Sequence, residues 1–172
     1  LSQAFGAGDE DDAQAAMDQA LVFALALCLP AAAALMAMPV YLVDGLFTRG
    51  AFVHADAAAS GAILFQYGWG LPAFVLVKIL QPAFFARQDT KPPMRFSLIS
   101  VAVNIGAGVA LFYTVGFVGI AAATSIATWI TVAQMALTLR SRAAYHPSGR
   151  AWFKMARVAA ASLGMGLAMF AA

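Results

Sequence analysis

The amino-acid sequence predicts an all-α, polytopic integral membrane helix bundle with four complete transmembrane helices and a truncated fifth. The composition is the first reason, because 63% of the 172 residues are hydrophobic and only 10% are charged, whereas soluble domains carry about 25% charged residues. The second reason is that the charges are clustered and leave long uncharged runs between them. Strands of a membrane barrel would give short alternating segments, so helices are the spanning structure that remains.

The uncharged runs set the number of crossings. They cover residues 19–43, 57–77, 96–139 and 158–172. Because a hydrocarbon core needs about 20 apolar residues of helix, the first two runs predict one crossing each. The third is about twice that length and predicts two crossings joined by a turn at residues 114–119. The last run is short, which predicts the truncated fifth helix.

We therefore predict a single transmembrane domain over residues 1–172 that begins with a cytoplasmic segment, residues 1–18. The five predicted helices cover about residues 19–43, 61–85, 96–113, 119–139 and 152–172. The sequence has no initiator Met, and its first residues lack the basic and then apolar pattern of a signal peptide. We expect further helices on both sides of this chain.

Basic residues lie in alternate loops and predict the orientation. Of the Lys and Arg residues in the loops, Arg49 is the only one on the side of the predicted membrane that faces away from the two basic loops. The loop after the second crossing and the segment after the fourth carry the others: Arg87, Lys91 and Arg95, then Arg140, Arg142, Arg150, Lys154 and Arg157. Because excess Lys and Arg stay on the cytoplasmic side, both basic loops and the N-terminal segment are predicted to be cytoplasmic.

The sequence offers little for catalysis, cofactors or nucleic acid. It contains no phosphate-binding loop, no dinucleotide-binding glycine motif and no HExxH. His54 and His146 lie in loops on opposite sides of the predicted membrane, and Cys28 is the single cysteine. We predict no catalytic residues, no cofactor and no metal site. The net charge of +2 is too small to indicate nucleic-acid binding.

Lys78 is the one charge inside an otherwise apolar predicted crossing. A charge within the bilayer costs a few kcal/mol unless it is paired or hydrated, so such a residue is a functional candidate. A second interpretation is that Lys78 extends its long side chain to the cytoplasmic surface, about two helical turns away. The sequence leaves both interpretations open.

A polar stripe follows the fourth predicted crossing. Thr124, Thr128, Thr131 and Gln134 recur at steps of four, three and three residues, which places them along one helix face. Such a stripe can line a hydrated path for a substrate. The favoured interpretation is packing, since Thr and Ser hydroxyls commonly bond to their own or a neighbouring helix. Asn104 in the third crossing has the same two interpretations.

Proline-interrupted helices indicate transport rather than catalysis. Pro30 and Pro39 lie in the first predicted crossing and Pro72 in the second. Each proline removes a backbone hydrogen bond and bends its helix, which neighbouring helices must accommodate. Interrupted helices with few polar groups inside the membrane are typical of transporters.

Residues 67–93 carry the most distinctive motif, which reads YGWGLPAFVLVKILQPAFFARQDTKPP. This segment resembles the MurJ/MviN family of lipid II flippases, within the multidrug/oligosaccharidyl-lipid/polysaccharide exporter superfamily. Its signature is the lysine-containing helix end followed by PAFFARQDTKxP. Weaker matches are Leu1-Ser2 with Gly8-Asp9, Leu29-Pro30-Ala31, and Leu46-Phe47 with Arg49-Gly50-Ala51-Phe52. The resemblance covers most of the chain and weakens after about Arg142.

The resemblance implies a two-lobed exporter fold of fourteen helices around a central cavity. This chain would supply roughly the ninth helix to the start of the thirteenth. Family members move undecaprenyl-pyrophosphate-linked peptidoglycan precursor between the leaflets of the bacterial cytoplasmic (inner) membrane by alternating access. The implied partners are therefore this precursor, membrane lipids and the remaining helices of the same protein, with no nucleic acid.

Few residues carry the family's function over to this sequence. The arginines that family members direct at the pyrophosphate lie in earlier helices, which this chain lacks. Besides Lys78, the match covers a cytoplasmic turn motif that we interpret as an orientation and hinge element: Arg87, Gln88, Asp89, Thr90, Lys91 and Pro92. Two alternatives stay open, namely a related exporter of polysaccharide-linked lipids or drugs, and a non-transporting membrane scaffold.

Overall fold

The computed structural model describes residues 10–47, 53–86, 91–141 and 148–171, and these residues form six α-helices. The helices are α1 (Glu10–Ala37), α2 (Pro39–Phe47), α3 (His54–Ala86), α4 (Lys91–Val115), α5 (Phe117–Ser141) and α6 (Gly149–Ala171). All except the nine-residue α2 are long and apolar enough to cross a membrane. The structure thus confirms the predicted class.

The first predicted crossing, residues 19–43, is divided between α1 and α2. Pro39 is the first residue of α2, a position that suits proline because the first helical N–H needs no partner within the helix. The hydrogen bond from Met38 N to Ala34 O (3.1 Å) continues across the junction, so a bend and not a loop joins the two helices. Pro30, by contrast, lies inside α1.

The fifth helix is longer than the sequence predicted. We expected it to begin near Trp152 and to be truncated, but α6 begins at Gly149 and has 23 residues. Its Gly149–Phe170 portion is long enough to cross a membrane. The reason for the early start is local, since Ser148 caps the helix and Arg150 is helical although it is charged.

The turn between the third and fourth crossings falls at Gly116. This glycine has a φ of 73° and directly follows α4. Residues other than glycine rarely adopt this left-handed backbone conformation, which is common at the ends of helices. The Gly116 N–H donates to Phe112 O (2.9 Å) and so closes the last turn of α4.

The five long helices pack in a row whose order is α4, α5, α3, α1, α6, and α2 packs mainly against α3. Helices α3 and α5 run in the same direction, because Gln66 contacts Ser125 and Trp69 contacts Trp129. Helices α1 and α6 also run parallel to each other. Consecutive long helices alternate in direction, as successive membrane crossings must.

The core lies where α1, α3 and α5 meet. Its buried members are Met17, Leu21, Ala73, Leu80, Ala83, Phe84, Val132, Met135 and Leu139. We call the end of the bundle that carries Lys91, Arg140 and Arg150 the basic end. Most of the core lies in the half of the bundle nearest the basic end, where Phe84 of α3 also meets Phe96 of α4 edge to face.

Small residues bring the helices into close contact elsewhere. Gly70 of α3 lies so close to Ser125 of α5 that an added β-carbon would overlap the serine side chain. Gly166 of α6 faces Ala33 of α1. A β-carbon added to this glycine would lie 3.3 Å from the Ala33 β-carbon. Such contacts between small side chains are the usual basis of helix association in membranes.

Candidate functional site

An apolar groove of about 690 Å³ lies between α1, α3, α5 and α6. It opens between α5 and α6, which make no close backbone contact with each other in the part of the chain that the structure describes. The groove is lined by Leu21, Leu25, Leu29, Pro72, Leu76, Leu80, Trp129, Val132, Ala136, Leu139, Arg140, Trp152, Met155, Ala156 and Ala159. Arg140, at the basic end, is the one charged residue among these described lining residues. The groove therefore suits hydrocarbon.

Lys78 lies on the opposite face of α3 from this groove. Leu76 and Leu80 line the groove, and a residue two positions from each is rotated by about 200° around the helix. Lys78 is exposed, and it has no hydrogen bond or ion pair among the residues that the structure describes. It lies eight residues before Ala86, the last residue of α3. Lys78 is therefore about 12 Å along the helix axis from the basic end of α3.

The polar stripe of α5 is engaged in helix contacts. Asn104 of α4 donates through Nδ2 to Thr124 Oγ1 at 3.0 Å, which links α4 to α5. Thr124 and Thr128 each donate their hydroxyl to a carbonyl four residues earlier, at 3.0 and 2.8 Å. Buried Thr131 donates in the same way to Ala127 O. These hydrogen bonds are the ones that the packing interpretation predicts. That the residues of the stripe line a substrate path stays a prediction.

Gln134 differs from the threonines. Its Oε1 atom is buried and has no hydrogen-bond partner within the described residues. Its backbone carbonyl accepts from Thr138 Oγ1 at 2.8 Å. A buried amide oxygen without a donor is costly, and Gln134 is the one predicted site residue with this property.

The structure separates Lys78 from the end of the polar stripe that carries Thr124 and Thr128. Because Gln66 lies beside Ser125 and the two helices are parallel, Lys78 lies level with about Leu137. Thr128 is nine residues earlier on α5, which corresponds to about 14 Å along the helix axis. Lys78 and the Asn104–Thr124 pair therefore do not form one site within this chain.

The predicted turn motif is only partly described. Arg87, Gln88, Asp89 and Thr90 lie outside the described residues. Lys91 is exposed at the start of α4, and Pro92 is buried in its first turn. Proline is well suited to a first helical turn, where a missing N–H costs no hydrogen bond.

Ser125 is a contact residue that the sequence did not reveal. Its hydroxyl donates to the Gln66 carbonyl of α3 at 2.7 Å and its side chain is fully buried. Trp129 supports the same helix pair by donating from Nε1 to Trp69 O at 3.2 Å. The available signal was a serine in a long apolar helix, but the sequence does not show which helix faces it.

A second missed contact joins α1 to α6 at the basic end. The Asp18 carboxylate accepts a hydrogen bond from Ser148 N at 3.2 Å, and Ser148 Oγ accepts one from Ala151 N at 3.2 Å. The serine thus caps α6, as its place before an apolar helix indicates. The partnership with Asp18, 130 residues away, has no such local signal.

The opposite end of the bundle carries an exposed ion pair. His54 Nδ1 lies 2.7 Å from Asp44 Oδ1 and joins α2 to the start of α3. The histidine side chain is 82% exposed, and it forms an ion pair only when protonated. Exposed pairs contribute little to stability. Within the described ranges, no group of three or more His, Cys, Asp or Glu residues is placed to hold a metal ion.

Five helices long and apolar enough to span a membrane, two of them with internal prolines, define a multi-pass membrane protein that carries an apolar groove. Comparison with known proteins narrows this class. The family model described as lipid II flippase MurJ matches residues 1–172. The chain belongs to the MurJ family, a family of transporters and not of enzymes.

Individual relatives agree with the family match. The chain is 43% identical over 139 residues to the probable lipid II flippase MurJ of Rhizobium meliloti. It is 41% identical over 142 residues to the protein of the same name from Rhizobium tropici. These alignments cover 81% and 83% of this chain but only 26% and 27% of the relatives. The chain thus spans about a quarter of their length.

A solved structure shares the fold. It is described as lipid II flippase MurJ in an inward closed conformation, and it superposes with a TM-score of 0.83 over 98% of this chain and 34% of its own. The sequences are 24% identical in this comparison. The similarity therefore shows that the described helices adopt the exporter fold that the sequence resemblance implied.

Proposed function

We propose that this chain is part of a lipid II flippase that moves undecaprenyl-pyrophosphate-linked peptidoglycan precursor across the bacterial cytoplasmic membrane for cell wall synthesis. The observation that carries the proposal is the family match over residues 1–172. The movement would be alternating access, in which two lobes rock around a central substrate site. This chain would contribute helices to one of those lobes.

The two faces of the helix row suit the two parts of such a substrate. A lipid tail is stable in hydrocarbon, and the groove between α1, α3, α5 and α6 is apolar apart from Arg140. A pyrophosphate headgroup requires a hydrated, positively charged environment. Lys78 supplies a cation on the other face of α3, and no carboxylate among the described residues neutralises it.

Lys78 is therefore our candidate for a residue of the substrate path in this chain. At about 12 Å from the end of α3, its ammonium group can reach either a hydrated cavity or the membrane surface. Lysine and arginine both reach the surface along a flexible side chain, but they differ in how they bind phosphate. The two interpretations thus predict different results for the same substitutions.

The test is rescue of growth in cells that depend on this gene, with the complete protein produced at a measured membrane level. If Lys78 binds substrate, Lys78→Ala at normal protein level should abolish rescue and Lys78→Arg should reduce it. If Lys78 only reaches the surface, Lys78→Arg should rescue fully. The matched control is Arg95→Ala, which removes an exposed cation from the first part of α4, outside the turn motif, and should leave growth unchanged.

The same experiment separates the alternatives. A membrane scaffold needs no cation within the bilayer, so full rescue by Lys78→Ala at normal protein level would favour a scaffold over a transporter. A related exporter of polysaccharide-linked lipids or drugs would not restore precursor movement. Measurement of precursor exposed on the outer leaflet in rescued cells therefore distinguishes it from the proposed flippase.

A further inference from the structure

We propose that one face of α6 binds the phosphate groups of anionic phospholipids in the cytoplasmic leaflet. The face consists of Arg150, Lys154 and Arg157, at steps of four and three residues, and we call it the basic face. All three side chains are exposed. Residues at these steps lie above one another on a helix, so the three cations form a short stripe parallel to the helix axis.

The other faces of α6 are already occupied or apolar. Ala151 and Ser162 are buried, and Gly166 faces Ala33 of α1. The side toward the groove carries Trp152, Met155 and Ala159. The centre of the basic face lies about 120° around the helix from the centre of the buried set and about 165° from the centre of the groove set. The basic face is therefore turned away from the helices that α6 packs against within the described residues.

None of the residues that the structure describes compensates the charge on this face. Helix α6 contains no Asp or Glu, and no ion pair joins the three cations to any described residue. Cations near a helix N-terminus also oppose the helix dipole, whose positive end lies there. Asp18 of α1 accepts a hydrogen bond from the N–H of Ser148, the residue that caps α6. The dipole and the three side chains thus favour an anionic ligand from outside the described chain.

The depth of the basic face fits the headgroup region of a bilayer. Arg150 and Arg157 are about 10 Å apart along the axis, and each headgroup layer is roughly 5–7 Å thick. Long side chains extend toward that layer and cover the difference. Trp152 and Phe153 are 62% and 66% exposed on the same turns, as expected of aromatic residues at a membrane interface. Arg157 lies 5.9 Å from the Phe153 ring, which holds its guanidinium beside them.

Phospholipid is the occupant that these observations favour. A further apolar helix packed on this face would bury three unpaired charges, which is unfavourable. A stripe of flexible cations at the surface instead resembles the basic clusters that attract anionic lipids. This inference depends on the chain being a membrane protein and not on which substrate it transports.

The test uses the complete protein in nanodiscs made of phosphatidylcholine with an equal amount of phosphatidylglycerol. The readout is the ratio of the two lipids that stay bound after exchange into detergent, measured by mass spectrometry. Arg150→Gln, Lys154→Gln and Arg157→Gln are combined in one variant. The control variant combines Lys91→Gln, Arg95→Gln and Arg140→Gln, which also remove three exposed cations.

We expect the basic-face variant to lose its preference for phosphatidylglycerol by about fivefold per charge at low salt, and the control variant to lose much less. Added salt should weaken the preference of the unmodified protein.

Equal preference in the unmodified and basic-face proteins would overturn the proposal, as would equal losses in the two variants. So would a loss seen only with lipid-linked precursor present, or acidic residues of another helix found cross-linked to Lys154. If the triple variant does not accumulate, Lys154→Gln alone should lose about fivefold.

Discussion

Helices α5 and α6 are both apolar and long enough to span a membrane, yet they differ in how much of their surface is buried against the rest of the bundle. In α5, 39% of the spanning segment is buried against other helices, whereas in α6 the fraction is 6%. Helix α5 lies between α3 and α4 and forms side-chain hydrogen bonds to both. Among the described helices, α6 makes close backbone contacts only with α1.

The difference shows that hydrophobicity places a helix in the membrane but does not fix its neighbours. Lipid is as apolar as leucine, so association depends on close packing and on polar bonds between helices. Helix α5 has both, through the Gly70–Ser125 contact and the bonds of Ser125 and Trp129. Among the described residues, helix α6 is joined to α1 by the hydrogen bond between Asp18 and Ser148 and by a small-residue contact at Gly166. It keeps one face free for its cations.

The largest expected effect is at Gly70. In Gly70→Val the new side chain overlaps Ser125, which forces α3 away from α5 and should cost about 3 kcal/mol of stability. Thermal unfolding of the purified complete protein, together with its membrane level, measures the loss. The control is Gly164→Val on α6, where nothing lies within 4 Å. If the two variants were destabilised equally, the contrast between α5 and α6 would be wrong.

A smaller effect is expected at the tie between α1 and α6. Asp18→Ala removes the carboxylate that accepts from Ser148 N, and loss of a capping partner costs about 1 kcal/mol. Because this hydrogen bond joins α6 to α1, the first turn of α6 should exchange amide hydrogen faster while α5 is unaffected. Gln19→Ala, at the next and exposed position of α1, is the control. Unchanged exchange at Ser148 and Ala151 would show that the contact does not hold α6.

The smallest effect is expected at Asn104. Its bond to Thr124 joins α4 to α5, and hydrogen bonds between membrane helices contribute about 0.6 kcal/mol on average. A double-mutant cycle of Asn104→Leu and Thr124→Val should give a coupling energy of that size in thermal unfolding. Thr114→Val on α4 is the control, because that hydroxyl bonds only within its own helix. A coupling energy near zero would indicate that the Asn104–Thr124 bond does not help to join α4 to α5, which are also linked from Ser100 Oγ to Ala127 O at 3.4 Å.

Parts of the candidate site were predictable because they depend on single residues. Lys78 was found as a lone charge in an apolar run, and the structure leaves it exposed without a partner among the described residues. The groove was not predictable, since its lining comes from four helices. Ser125 was missed for a related reason, because nothing in the sequence shows that α3 and α5 are neighbours. The sequence predicted a bend at Pro39, but not that a separate helix, α2, begins at that residue.

By itself, the sequence determined the membrane class, the alternating crossings, the turn near Gly116 and the family, because each depends on composition, charge or a contiguous motif. The tertiary structure alone decided the order of the helices in the row, the groove, the hydrogen bond between Asp18 and Ser148 and the faces on which Lys78 and Arg157 lie. The physical reason is that lipid solvates every apolar helix surface about equally well, so apolarity alone does not favour one helix pairing over another. Which surfaces meet is decided by a few close contacts, such as Gly70 with Ser125, between residues far apart in the sequence.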